Sequence, residues 1–238
     1  MGLAGLPRGW SRRSVNMAVV TSSPVEAACW AAGADPAAVT TLVSDRNPEV
    51  ALKQITELCR PGVGGLVSFG VAAGLGPALR PADLVLADRV VLPCGRSVVT
   101  DRSWREACAD RLAAAGRKVV VAAVVGMDTP PASVSAKRRA FCSTCAAVAD
   151  GESHLVAAAA EARRLPLLVL RAVADPAWED HLARASERPG ALALIARLAA
   201  RPLDMAATLR FARHERLALE ALQIAAGLVP PPGLAAAA

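Results

Sequence analysis

A chain of 238 residues with 54% hydrophobic content can bury one sizeable core, and its length does not ask for a second domain. Its formal charge of +6 comes from arginines spread along the chain, with 3% aromatic residues and no long basic block; this argues against a nucleic-acid partner and is compatible with a basic face toward phosphate or anionic lipid. Charges and prolines interrupt every apolar run before it is long enough to span a bilayer, so a cytoplasmic chain is expected, touching the inner face of a membrane only peripherally.

Residues 1–16 read as a disordered extension. Arg12 and Arg13 form a twin arginine, but Ser22, Ser23, Pro24 and Glu26 break the apolar segment that an export signal needs, and Met17 is an alternative start. A first strand is predicted over 17–21, turning into a helix that Glu26 opens and that runs through Ala32. A second strand over 38–43 leads to Ser44-Asp45-Arg46-Asn47-Pro48, where Asn47 suits the N-cap and Pro48 the first turn of a helix over 49–59. An arginine beside a helix N-terminus suits an anion, which makes Arg46 the candidate phosphate contact; a solvated surface arginine is the competing reading.

Val67, Phe69 and Val71 belong to a strand that climbs into a glycine-rich turn. There Gly70 and Gly74 flank Val71, Ala72 and Ala73, so bare backbone can lie against a flat ligand or an oxyanion. Another strand covers 84–92. Trp104, Cys108 and Leu112 mark a helix over 102–115, and residues 118–125 form an uninterrupted buried strand followed by a loop over 126–133. A helix begins at Lys137 and ends near Cys145, and a short strand over 146–149 leads to Asp150-Gly151-Glu152-Ser153-His154, with His154 a helix-start residue. A helix over 155–165 precedes a nearly all-apolar strand, 166–174, which carries one charge, Arg171, and delivers Asp175.

The six cysteines do not space like a secreted disulfide framework, so reduced thiols and no metal centre are expected, and the single Cys142-Ser143-Thr144-Cys145 pair reads as helix packing. From Pro189 two alanine- and leucine-rich helical segments, broken at Pro202, carry Arg197, Arg201, Arg210, Arg213 and Arg216. They read as a cover for the core, with a dock on anionic membrane as a second use. Residues 229–238 read as a frayed tail. Strands alternating with helices, without repeat or linker, predict one α/β domain over 17–228.

Three separated blocks resemble the nucleoside phosphorylase and nucleosidase superfamily. Ser68-Phe69-Gly70-Val71-Ala72-Ala73-Gly74-Leu75, with Pro77 to Val85 after it, is similar to the family's S-x-G-x-A-G-G-L and L-x-x-G-D-[IL]-V block, in wording closest to the hopanoid-associated phosphorylase branch. Asp150-Gly151-Glu152-Ser153 resembles its D-M-E-S block, and Val169 to Asp175 its V-R-x-[IV]-[SA]-D. The resemblance spans residues 17–220 and implies the phosphorylase fold, a mixed, partly barrel-like central sheet flanked by helices.

The resemblance also implies a reaction: pentosyl transfer that cleaves a purine nucleoside with inorganic phosphate as co-substrate and no other cofactor. By branch, adenine would leave a lipid-linked, adenosylhopane-like nucleoside in hopanoid side-chain biosynthesis. Hydrolysis of 5'-methylthioadenosine or S-adenosylhomocysteine is the alternative, and a non-catalytic nucleoside-binding member is a third reading. A homo-oligomer is expected.

Carried over by motif, Asp175 protonates N7 of the departing purine, Glu152 with Ser153 beside it holds the ribose hydroxyls, and Glu26 orients the nucleophile. Gly70, Val71, Ala72, Ala73 and Gly74 line the pocket, and Asp128 lies in the loop that closes over the base. Ala73 and Ala82 stand where the pattern has glycine, and Gly151 where a methionine packs under the ribose. Read without the resemblance, Glu26 is equally a solvated first-turn carboxylate and Asp175 an N-cap before Pro176.

Overall fold

The computed structural model describes residues 16–34, 39–180 and 202–233. In chain order these form β1 (Asn16–Thr21), α1 (Pro24–Gly33), β2 (Val39–Val43), α2 (Pro48–Leu58), β3 (Val63–Gly74), β4 (Leu84–Val91) and β5 (Ser97–Val99). After them come α3 (Arg102–Ala114), β6 (Val119–Gly126), α4 (Val134–Thr144), β7 (Val148–Asp150), α5 (Ser153–Arg163), β8 (Leu167–Asp175) and α6 (Pro202–Ala226).

Helix starts follow side-chain chemistry. Ser23, Asn47, Asp101 and Ser133 cap α1 to α4, each side chain accepting from a first-turn amide. These caps explain why α1 opens two residues before Glu26 and α4 three before Lys137.

The sheet has an open wing and a closed ring. β1 lies between β2 and β3 and is parallel to both. β3 then pairs with β8 in parallel and with β7 antiparallel, β7 with β6 and β6 with β4 in parallel, and β4 with β8 antiparallel, which closes a five-strand ring. This is the mixed, partly barrel-like sheet that the resemblance implies. The chain can build it because β3 runs for 12 residues, about 40 Å, enough to serve both wing and ring. The glycine-rich segment is therefore the last third of a strand rather than a turn: Ala73 and Gly74 pair with β7, and Ala73 also pairs with Asp175.

All nine residues of β8 are buried, because its two faces feed two cores. Val169 and Val173 face a cluster with Val20, Ile55, Val85, Val124 and Val156. Leu168, Leu170 and Ala172 face another, with Trp30, Phe69, Trp104 and Leu222, in which the Trp30 and Phe69 rings meet edge to face at 4.9 Å. The second cluster is roofed by α6, whose Ala218, Leu222 and Ala225 are buried.

Two expectations change, at the tail and at the cysteine pair. Residues 229–232 are not a loose tail: Val229 is buried, and the Trp104 indole donates to the Pro230 carbonyl at 2.6 Å. Cys142 and Cys145 are exposed at the end of α4, not packed, because Cys145 is the left-handed C-cap. Pro202 starts α6, while the helical segment expected before it, like residues 1–15, lies outside the described residues. Ala82, at a glycine position of the family pattern, keeps the left-handed backbone (φ 71°) that glycine would adopt freely, and its amide donates to the Val173 carbonyl at 2.8 Å. No helix of the described residues is long and apolar enough to cross a membrane.

Candidate active site

The site grows from a charge in the middle of an apolar strand. Arg171 is fully buried in β8, and every side of its guanidinium is met. Nη1 donates to Glu152 Oε1 at 2.7 Å, and Nη2 donates to the Ser153 hydroxyl at 2.9 Å and to that of Ser68. Nε stands 2.8 Å from Asp150 Oδ2, an ion-pair contact that is not aligned as a hydrogen bond. Asp150 in turn sets up the start of α5: its Oδ1 accepts from the amides of Glu152 and Ser153 at 3.0 and 2.7 Å, and its Oδ2 accepts from the Ser153 hydroxyl. The network links the ends of β7 and α5 to β3 and β8, and it points the Glu152 carboxylate.

Glu26 enters from the opposite side. It is buried, its Oε2 accepting from the Ser22 amide and hydroxyl at 2.8 and 2.7 Å and its Oε1 from the Val71 amide at 2.8 Å. The solvated reading of Glu26 is thereby removed. Gly70 explains the approach: a Cβ there would collide with Glu26 Oε1 and lie 2.7 Å from Arg171 Nη1. Burial pushes the Glu152 carboxyl up from its ordinary value; the Arg171 guanidinium opposes this, while Asp150 and Glu26 add to it.

Asp175 closes β8. Its Oδ1 accepts from Lys137 Nζ at 2.6 Å. Burial raises its carboxyl to about 6, Lys137 pulling the other way and Glu179 and Asp180 adding a smaller upward push.

These groups border a cavity of about 290 Å³ lined by Ser22, Val71 to Ala73, Glu152 and Asp175, with Pro130, Pro131 and Phe211 completing the wall. Such a volume lies at the small end of ligand sites. Val71, Ala72, Ala73, Glu152 and Asp175 thus meet at one place, as the motifs implied. Glu26 stands one layer behind, held by the lining residues Ser22 and Val71. Gly70 and Gly74 are in the wall's backbone but not on its surface, and Ser153 is fully buried under it. Asp128 is exposed, with Oδ1 3.0 Å from Nε2 of the buried His154, and does not line this cavity. Arg46 is exposed and outside the lining as well. The described residues hold no cluster of three or more metal-ligating side chains.

Beside this cavity lies an apolar groove of about 460 Å³ formed by Leu75, Pro77, Phe141, Ala177 and Trp178. The two share no lining residue, but their linings are close along the chain, Leu75 two positions after Ala73 and Ala177 two after Asp175.

With this geometry in hand, the profile of the phosphorylase superfamily matches residues 43–201. The chain belongs to that superfamily. A search among curated proteins returns no match. Among solved structures, a 5'-methylthioadenosine/S-adenosylhomocysteine nucleosidase of Helicobacter pylori, with 5'-methylthioadenosine in its active site, superposes with a TM-score of 0.65 at 16% identity, over 90% of this chain and 94% of that one. The same kind of enzyme from Campylobacter jejuni gives 0.63 at 13% identity, over 90% and 96%. A futalosine hydrolase mutant of H. pylori gives 0.62 at 16%, over 70% and 90%. At such identities the likeness is one of fold, and membership in the superfamily supports an enzyme that cleaves N-glycosidic bonds.

Sequence reasoning passed over Lys137, Asp150, Ser22, Pro130, Pro131 and Phe211. Asp150 carried a signal as the first letter of the D-M-E-S block, and Pro130 and Pro131 as members of the loop expected to close over the base.

Proposed function

We propose that the chain releases adenine from a purine nucleoside that carries an apolar group on its sugar, of the adenosylhopane kind. The observation that carries the reading is the opening of Asp175 and the Arg171-anchored Glu152 onto one cavity. A carboxyl near 6 keeps a usable proton close to neutral pH. Given to N7, that proton lets the C1'–N9 bond break with its electron pair retained by a neutral base. Glu152, accepting from the ribose hydroxyls, offsets the positive charge that grows on the sugar. The apolar groove whose lining begins two residues beyond Ala73 and Asp175 supports an apolar sugar substituent.

For the acceptor, the charge balance favours water. Even with Glu152 protonated, Glu26 and Asp150 outweigh the one guanidinium, so a phosphate dianion meets net repulsion where a neutral water does not. The water adds to C1' and gives its proton to the Ser22 hydroxyl at the cavity wall as that hydroxyl passes its own to Glu26 Oε2, which it meets at 2.7 Å. The phosphorolytic reading, with inorganic phosphate as co-substrate, has its own support. Ser44, two residues before Arg46, donates to the carbonyl of Thr21, the neighbour in sequence of the lining residue Ser22.

The test is adenine release from adenosine, 5'-methylthioadenosine and an adenosylhopane-type nucleoside, with and without phosphate, read by chromatography. Release without phosphate, fastest for the apolar substrate, is the expected result. Strict dependence on phosphate would replace hydrolysis with phosphorolysis. Binding without any release would leave a nucleoside-binding protein.

A further inference from the structure

Lys137 is a buried charge that the scheme above does not use. We propose that it is a positioning residue which turns the Asp175 carboxyl toward the base and makes it a stronger acid, an inference that rests on the proposed reaction.

The geometry is complete in itself. Lys137 is fully buried in the first turn of α4, and its three ammonium protons have three acceptors: Asp175 Oδ1 at 2.6 Å, the Pro176 carbonyl at 2.8 Å and the Glu179 carbonyl at 2.6 Å. An ammonium so far from water is tolerable only when paired and fully hydrogen-bonded, as it is here. With Oδ1 committed to Lys137, the proton for the purine has to ride on Oδ2. The two carbonyl contacts fix residues 176–179 against α4. A second staple, from the Val134 amide to Asp180 Oδ1 at 2.7 Å, holds the end of that segment to the same helix turn. The Asp175 carboxyl is thereby prevented from turning away from the cavity.

The charge acts in the same direction as the geometry. As the proton leaves, Asp175 becomes an anion at the mouth of a buried sheet, and the ammonium stabilises the negative charge where it develops. The other charges around Asp175 work against that anion or are spent elsewhere. Glu179 and Asp180 on its own segment oppose ionisation. From α6, Arg210 Nε at 3.8 Å and His214 Nδ1 at 3.4 Å are directed to the Glu179 carboxylate. Lys137 is thus the cation in direct contact with the acid among the described residues.

The experiment compares full-length native protein with Lys137→Met and Lys137→Arg on two substrates, adenosine and p-nitrophenyl riboside, whose nitrophenolate leaves without protonation. The readout is kcat/KM across about pH 5 to 9. For Lys137→Met, adenine release is expected to fall about 10²-fold and its alkaline limb to move up by about one pH unit or more, while nitrophenolate release stays within about threefold of native. Lys137→Arg, which keeps a cation, should retain the native limb. Equal slowing of both substrates with an unmoved limb would make Lys137 a structural anchor and overturn the proposal. Lys137→Gln serves if the methionine variant does not fold, and failure of both to fold would likewise assign the residue to folding alone. If native protein cleaves neither substrate, the proposed reaction itself fails, which is distinguishable from a failure of Lys137 within a working enzyme.

Discussion

Replacing Gly70 by alanine tests whether close packing behind the cavity fixes the site. The added Cβ would overlap Glu26 Oε1 and lie 2.7 Å from Arg171 Nη1 and 2.8 Å from Glu26 Cδ. Neither neighbour is free to retreat. Glu26 is tied by Ser22 and Val71, and Arg171 by Glu152, Ser68, Ser153 and Asp150. Regaining ordinary contact asks the carboxylate to move by about 1 Å, which stretches the 2.8 Å bond from the Val71 amide beyond useful length. Overpacking costs about 1–3 kcal/mol, and a lost hydrogen bond to a charged group about 1.5–3 kcal/mol more. The expected loss is therefore about 2.5–6 kcal/mol, a large share of the roughly 5–15 kcal/mol that a domain possesses. A displacement of this size at a positioned group should also lower turnover by about 10²-fold. Urea unfolding and adenine release measure the two effects. Gly151→Ala is the control, because it lines the same cavity and its Cβ meets nothing within 4 Å, so stability should change by less than about 0.5 kcal/mol. A Gly70→Ala protein with native stability and turnover would refute the claim that the carboxylate and guanidinium are locked against this strand.

Three further outcomes follow from single features. Ala82→Gly should stabilise the fold by about 0.5–1 kcal/mol, since relief of about 1–2 kcal/mol of left-handed strain exceeds the extra freedom gained by the unfolded chain; a melting curve shows it as a higher Tm. Arg171→Met leaves Asp150 and Glu152 buried without their cation and should cost about 3–5 kcal/mol in urea unfolding. Asp175 titrates near 6 against an ordinary 3.8, so the folded chain binds this proton more tightly than the unfolded one. Its contribution is complete below about pH 4 and is lost as pH rises through 6, a fall of about 3 kcal/mol. Asp175→Asn removes that slope and the alkaline limb of adenine release together; parallel pH–stability curves for the two proteins would contradict the assignment.

What the sequence could show of this site depended on how local each signal was. Arg171 was legible because a charge within an apolar strand has few structural excuses, and Asp175 because it ends the V-R-x-[IV]-[SA]-D block of the resemblance. The N-cap at Asn47 was legible because its partners lie two and three residues away. Lys137 was not: with Arg138 and Arg139 beside it, it reads as part of a solvated basic turn, and only the position of β8 reveals that one of the three faces inward. Asp128 depends on a contact that its loop sequence does not show. A carboxylate in the expected purine loop looked free to read a base, whereas in the fold its neighbour is His154, drawn close because Gly126 has no side chain to keep the imidazole away. The three-residue β5 left no periodicity to detect, since its hydrogen bonds to β4 are what define it.

The two ends of the proposed chemistry are held by one strand. Arg171 and Asp175 are four residues apart on β8, about 13 Å from each other along it. The first anchors the carboxylate meant for the sugar, and the second carries the proton meant for the base. β3 runs alongside, Gly70 opposite Arg171 and, after a one-residue register shift, Ala73 opposite Asp175, supplying small residues at both positions. A change that slips this register moves both groups together, whereas a change confined to α4 or to the start of α5 moves one without the other. Damage to β8 should therefore appear first as lost stability, and damage at Lys137 or Glu152 as altered pH dependence or substrate affinity in a protein that still folds.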